Sequence, residues 1–170
     1  MAVVSFAPDL VIDALVTNLR AATGFRAPSE AGTDVPVFDG GYPSGGKNSQ
    51  LVVIGSDGER GGVQRPFRFT SDWHDLDMTT DETGTVQCAV VVWGGEAKPT
   101  TFASQRATAV EILQNVDEAL RASVSAASLG VAQLLWSKVD AGEMVQGVTD
   151  YGTETRLTFT YGYRALLQVT

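Results

Sequence analysis

The sequence predicts an α+β fold: a mainly antiparallel β-sheet with two α-helices packed on one face, plus long loops or a β-hairpin arm. Three observations carry that prediction. VQCAVVVW (86–93) is an apolar run rich in β-branched residues, as a buried strand requires. After Pro99 the chain reads TTFASQRATAVEILQNVDEALRAS, whose apolar residues recur at helical spacing. TRLTFTYGYRALL (155–167) alternates instead, with Leu157, Phe159, Tyr161, Tyr163 and Ala165 on one face and Thr158, Thr160, Gly162 and Arg164 on the other. Strands with one apolar face and helices with one apolar stripe bury both by stacking in layers.

Taken in order, residues 8–23 read as the first helix. Leu10, Val11, Ala14, Leu15, Asn18 and Leu19 trace its inner face, and Gly24 is its stop. RAPSEAGTD is a loop and VPVF (35–38) a short strand, followed by DGGYPSGGKNS, dense in turn residues. QLVVIGSD (50–57) is the next strand, and GERGGVQRP is a loop with Arg60, Arg65 and Arg68 in or near it. SDWHDLDMTTDE (71–82) holds five acids and no lysine or arginine, and reads as a solvated acidic loop. The strand from Val86 is stopped by Gly94, Gly95 and Pro99. In the helix over 101–123, Thr101 is the expected N-cap, and Asp117 stands four residues before Arg121 in the favourable order. Ala103, Ala107, Val110, Leu113, Val116 and Leu120 are its expected inner face; Ser104, Gln105, Thr108, Glu111, Gln114 and Glu118 its outer one. SAASLG connects to a strand over 131–139, with turns expected around Gly142 and at 150–152 before the last strand. There is no internal repeat.

A chain of 170 residues suits one domain, or one with an elaborated arm, and 44% hydrophobic residues suffice for a core. The net charge of −8 and pI of about 4.5 argue against a sequence-independent nucleic-acid binder, whose affinity comes from cations neutralising phosphates. Such a surface instead repels a duplex that passes nearby. Cys88 is the single cysteine, so no intrachain disulfide forms, and its place inside the apolar strand makes it a small buried hydrophobe. MAVVSFAPDL has no basic region ahead of its apolar residues and no long apolar run, so the expectation is no signal peptide, no membrane span, and a protein made in a cytoplasm.

GYPSGGKN (41–48) matches the phosphate-binding pattern G-x-x-x-x-G-K-[ST] except at Asn48, which lacks the hydroxyl that binds Mg²⁺. That motif must open a helix, whose amides hold the phosphates; here a strand follows, so a glycine-rich loop between strands is the ordinary reading. Asp72, His74, Asp75 and Asp77 are close enough in sequence to hold a divalent cation, but the spacing fits no EF-hand loop. His74 is the only histidine, which removes any multi-histidine zinc site. A Cys88–His74 dyad would need a thiol that ionises, and an apolar strand keeps it protonated.

With this order of elements the chain resembles the tail terminator (tail completion) proteins of long-tailed, siphovirus-type bacteriophages. The resemblance rests on the N-terminal helix, the stretch VPVFDGGYPSGGKNSQLVVIG, the central strand and long helix, and the closing RLTFTYGYRALL. It implies a single tail-terminator-like domain over 1–170, with a sheet and helices on one side. It implies a ring, typically of six copies, on the head-proximal end of the tail tube. Such a ring ends tube polymerisation and presents a surface to the head-tail connector or stopper, while genomic DNA crosses its lumen without specific binding. The protein would then be a virion component assembled in the bacterial cytoplasm. The family has no catalytic residues, cofactor or metal to transfer. The chain departs from shorter members in its glycine-rich loop and in the acidic 71–82 segment. The candidate partner-contact residues are Tyr42 and Lys47 in the first, Arg60, Arg65 and Arg68 in the arginine-bearing loop, and Trp73 in the acidic segment. Another neck component, stopper or adaptor, and a small nucleotide-binding enzyme using 41–48 are the alternatives.

Overall fold

The computed structural model describes residues 7–41, 49–58, 66–74, 79–95, 97–122, 129–149 and 152–168. Its elements are α1 (Ala7–Ala21), β1 (Phe25–Arg26), β2 (Val35–Asp39), β3 (Gln50–Ile54), β4 (Phe67–His74), β5 (Thr79–Gly94), α2 (Pro99–Ala122), β6 (Leu134–Thr149) and β7 (Gly152–Gln168). The strands form one seven-stranded sheet in the order β1-β2-β3-β5-β7-β6, with β4 also paired to β5. This is the α+β class expected from the sequence.

β5 is the axis of the sheet. One of its edges pairs with β7 along its whole length, from Thr79↔Gln168 to Gly94↔Thr153. The other edge is shared: Cys88–Val92 pair with β3, and Thr79–Val86 pair with β4. These ladders and β6–β7 are antiparallel, whereas β1–β2 and β2–β3 are parallel, so the sheet is mixed. The β2–β3 connection, residues 40–49, returns the chain to the start of a parallel strand.

Both helices lie on one face, as the alternation requires. Val11, Leu15 and Leu19 of α1, with Ala109, Ile112, Val116 and Leu120 of α2, cover Val86, Cys88, Val90 and Val92 of β5 and Leu157, Phe159, Tyr161 and Tyr163 of β7. The opposite face carries a smaller cluster of Leu51, Val53, Ala89 and Val91, flanked by Phe38 and Trp93. Gly58 covers it so closely that a Cβ there would stand 2.9 Å from the Ala89 Cβ. Its φ of 73° is one that side chains disfavour, so glycine meets both demands.

Five sequence expectations need correction. The acidic 71–82 segment is not a solvated loop: its described part forms the end of β4 and the start of β5, a hairpin arm in which Ser71 pairs with Glu82 and Asp72 with Asp81. β5 therefore begins at Thr79 rather than Val86. The long helix begins at Pro99, not after a Thr101 cap; the Lys98 carbonyl accepts from the Thr101 and Phe102 amides, and proline, with no N–H to lose, takes the first helical position. The inner face of α2 is Gln105, Ala109, Ile112, Val116 and Leu120, while Ala103 and Ala107 are exposed and Val110 is 43% exposed. Gly142 lies inside β6, beside a register shift after Val139, and not in a turn; a Cβ there would approach the Thr158 carbonyl to 3.1 Å.

Candidate functional site

The inner positions of β5 continue past its apolar half as Thr80, Glu82 and Gly84, which puts a carboxylate inside the protein. Glu82 is fully buried. The Tyr163 hydroxyl donates to its Oε1 at 2.9 Å, and Ser71 and the Ala7 amide at the start of α1 also favour the anion. Among the described residues Oε2 has no hydrogen-bond partner. Burial outweighs these partners and raises the Glu82 pKa above its ordinary 4.5; burial and the adjoining carboxylate raise that of Tyr163. Gly84 makes room for the pair, because a Cβ there would lie 2.5 Å from the Tyr163 oxygen and 2.6 Å from the Arg68 carbonyl.

At the other end of β5 a polar network ties α2 to the sheet. Gln105 Nε2 donates to the Thr153 carbonyl at 3.2 Å and to its hydroxyl at 3.0 Å, and Gln105 Oε1 accepts from Thr155 at 3.1 Å. Gln146 of β6 donates to Thr155 Oγ1 at 2.7 Å and to the Phe102 carbonyl at 3.0 Å, and accepts from Arg106 at 2.8 Å. Gly94 and Gly152 allow this approach; a Cβ would strike Gln105 Nε2 at the first and the Gly94 carbonyl at the second. A shallow groove of about 440 Å³ opens beside the network, lined by Ser49, Gln50, Trp93, Thr101, Ser104 and Gln105. Its hydroxyl and amide lining contains no acid–base pair.

Beyond the Leu51, Val53, Ala89 and Val91 cluster, toward β6, the sheet face away from the helices carries polar and exposed side chains. Arg164 clasps Asp81 with both Nε and Nη2, at 2.5–3.2 Å. Lys138 stands 5.9 Å over the Trp136 ring and 3.9 Å from Asp140. Arg156 lies between Val91 and Val145, and among the described residues its buried Nε has no hydrogen-bond partner. β6 is an outer strand whose exposed large apolar side chains are Leu135, Trp136, Val145 and Val148, the last 68% exposed.

Of the sequence-predicted contact residues, Tyr42, Lys47, Arg60 and Arg65 lie outside the described residues. Arg68 is an exposed residue of β4, paired with Thr85 rather than in a loop. Trp73 is also on β4, its backbone paired with Thr80 of β5. The structure separates Cys88 from His74: His74 pairs with Thr79, nine residues along β5, or roughly 30 Å at the rise of a strand. Cys88 is fully enclosed, and burial pushes its thiol up to about 12. The Gly41–Asn48 motif leads into β3 and no helix; Tyr42 to Asn48 are outside the described residues. Asp75 and Asp77 of the suggested cation cluster are outside them too. Among the described residues no three His, Cys, Asp or Glu side chains gather as a metal site would.

Sequence reading missed Glu82, Gln105 and the open β6 edge. Glu82 had no apolar signal: it shares alternate positions with Val86, Cys88, Val90 and Val92, but Thr80, Glu82 and Gly84 give no hydrophobic stripe. What the described residues offer is surface: open strand edges and exposed apolar and polar side chains. No described helix is long and apolar enough to cross a membrane. No protein-family model matches the chain, and no curated protein matches it.

Proposed function

We propose that this chain is a virion assembly protein of the tail-terminator kind. In this reading its copies form a ring, a hexamer, on the head-proximal end of a phage tail tube, stop the tube protein from adding further, and receive the head-tail connector or stopper. The observation that carries the reading is the long outer strand β6, 16 residues with Leu135, Trp136, Val145 and Val148 exposed. Exposed apolar side chains on an open edge mark a surface made for another chain. The order of elements supports it too, since helix, strand, glycine-rich connection, long strand, long helix and closing strand pair follow one another as in the resemblance. A net charge of −8 suits a ring through which DNA passes without adhering.

The test is electron microscopy of particles assembled with and without the protein. Without it, tails are expected to lose length control or fail to join heads. Deleting Gly45 and Gly46, or replacing Arg60 and Arg65 by glutamate, is expected to reproduce that defect while circular dichroism stays unchanged. Normal tails joined normally in the complete absence of the protein would remove the terminator reading. Normal particles with the loop variants alone would remove only those loops from the contact.

A further inference from the structure

We infer that copies of this chain join head to tail through two strand edges, the outer edge of β4 on one copy meeting the outer edge of β6 on the next. The inference rests on the ring reading above and names the surface by which the ring closes.

At the end of the sheet away from β1, four strands lie side by side: β4, the first half of β5, the second half of β7 and the first part of β6. One cross-strand row runs Arg68, Thr85, Gly162, Lys138; the next runs Thr70, Thr83, Arg164, Trp136. Among the described residues no strand pairs with β4 beyond β5, or with β6 beyond β7. Residues 68–72 are exposed without a break. On β6, Leu135 is 49% and Trp136 39% exposed, and Lys138 and Asp140 are exposed as well. The same fold thus presents two open edges at the same height. Outward-facing amides and carbonyls of an edge pair readily with another chain.

Direction and charge both favour a second copy as the occupant. The four strands alternate in direction throughout, so β4 and β6 run opposite ways. A neighbour with its helices on the same side therefore lays its β4 antiparallel to β6 and continues the sheet. On the face away from the helices, β4 presents Arg68, Thr70 and Asp72, while β6 presents Trp136, Lys138 and Asp140. Set flush, the rows would place Lys138 beside the neighbour's Arg68, and like charges directly opposite are unfavourable. A shift of two residues places Asp140 opposite that Arg68, Lys138 opposite Thr70 and Trp136 opposite Asp72. The charges thus select a staggered register, and stagger between successive strands is what closes a sheet on itself. The contact is heterologous, one patch against a different patch, so its repetition builds a ring when the rotation between copies closes and an open filament when it does not; the ring reading requires the first. A register shift after Leu134 bounds the β6 segment at one end, and the shift between Val139 and Gly142, which holds Asp140, ends it at the other.

Disulfide trapping tests this in the full-length protein. Within one chain, positions 70 and 138 are three strand spacings and two residues along the strand apart, roughly 16 Å, too far to bridge. In the shifted register they face each other between copies, while Cys88 stays sealed in the core. The double variant T70C/K138C is expected to give a ladder of covalent multimers on a non-reducing gel after mild oxidation at high protein concentration. T70C and K138C alone are expected to stay monomeric on that gel, and their mixture to give dimers only. In parallel, R68D and D140R are each expected to lower the mass seen by sedimentation, and the R68D/D140R exchange to restore it. Absence of the ladder overturns the inference, and so do dimers from either single variant, which would mean like edges meeting. A ladder together with normal, joined tails in particles lacking the protein would keep the pairing and remove the terminator role.

Discussion

Glu82 concentrates the consequences of single residues in this fold. Its carboxylate is held by Tyr163 on the neighbouring strand, in space that Gly84 leaves empty, yet its burial is not fully compensated. A folded-state pKa above 4.5 fixes the sign of the pH effect. Below 4.5 the folded and unfolded chains are both protonated at this site, and its contribution to stability is fully present. As pH rises through the interval up to the raised folded value, the unfolded chain ionises first, so stability is lost, and above that interval the loss is constant. Glu82→Gln keeps the shape and an acceptor for Tyr163 but cannot ionise. Urea titrations across this range are expected to show the variant gaining on the native protein as pH rises through the interval, then running parallel to it. Parallel curves at every pH would mean that Glu82 does not titrate differently in the folded state.

At the scale of elements, α2 shows how a period can be legible while its phase is not. Val116 and Leu120 lie on both the expected and the observed inner face. Nearer the N-terminus, alanines at 103 and 107 carry too little apolar area to decide, and Gln105, polar by type, is drawn inward by Thr153 and Thr155. The observed face predicts that Ile112→Ala costs about 2–5 kcal/mol, as fully buried truncations do. Val110→Ala, on the exposed side, is expected within about 0.5 kcal/mol of the native protein. Equal losses in urea unfolding would put the helix in another rotation. β7 needed no such correction, because its large residues Phe159, Tyr161 and Tyr163 leave only one face to bury. The first half of β5 was hidden for the opposite reason: its inner residues are Thr80, Glu82 and Gly84, and no apolar stripe announces a strand. The parallel pairing of β1, β2 and β3 was also illegible, since a short strand reads alike in either direction. Arg68 was legible as an exposed cation, but the strand that carries it was not.

For the whole molecule the decisive fact is the position of β7. The last described strand in chain order is inserted between β5 and β6, and its ladder with β5 joins Thr79 to Gln168. Contacts between residues so far apart in sequence form late, because the intervening chain must first be brought round. Folding is therefore expected on the millisecond-to-second scale typical of non-local β-topologies. Stopped-flow refolding followed by tryptophan fluorescence measures it; a microsecond phase carrying all of the amplitude would contradict the expectation. The same position has a consequence during synthesis. Until residues 152–168 leave the ribosome, the run VQCAVVVW has no β7 beside it, and a bare, uncharged, β-branched edge associates with other chains. For as long as translation takes to reach β7, the productive fate of this chain competes with association through that edge, a hazard separate from the stability of the finished fold.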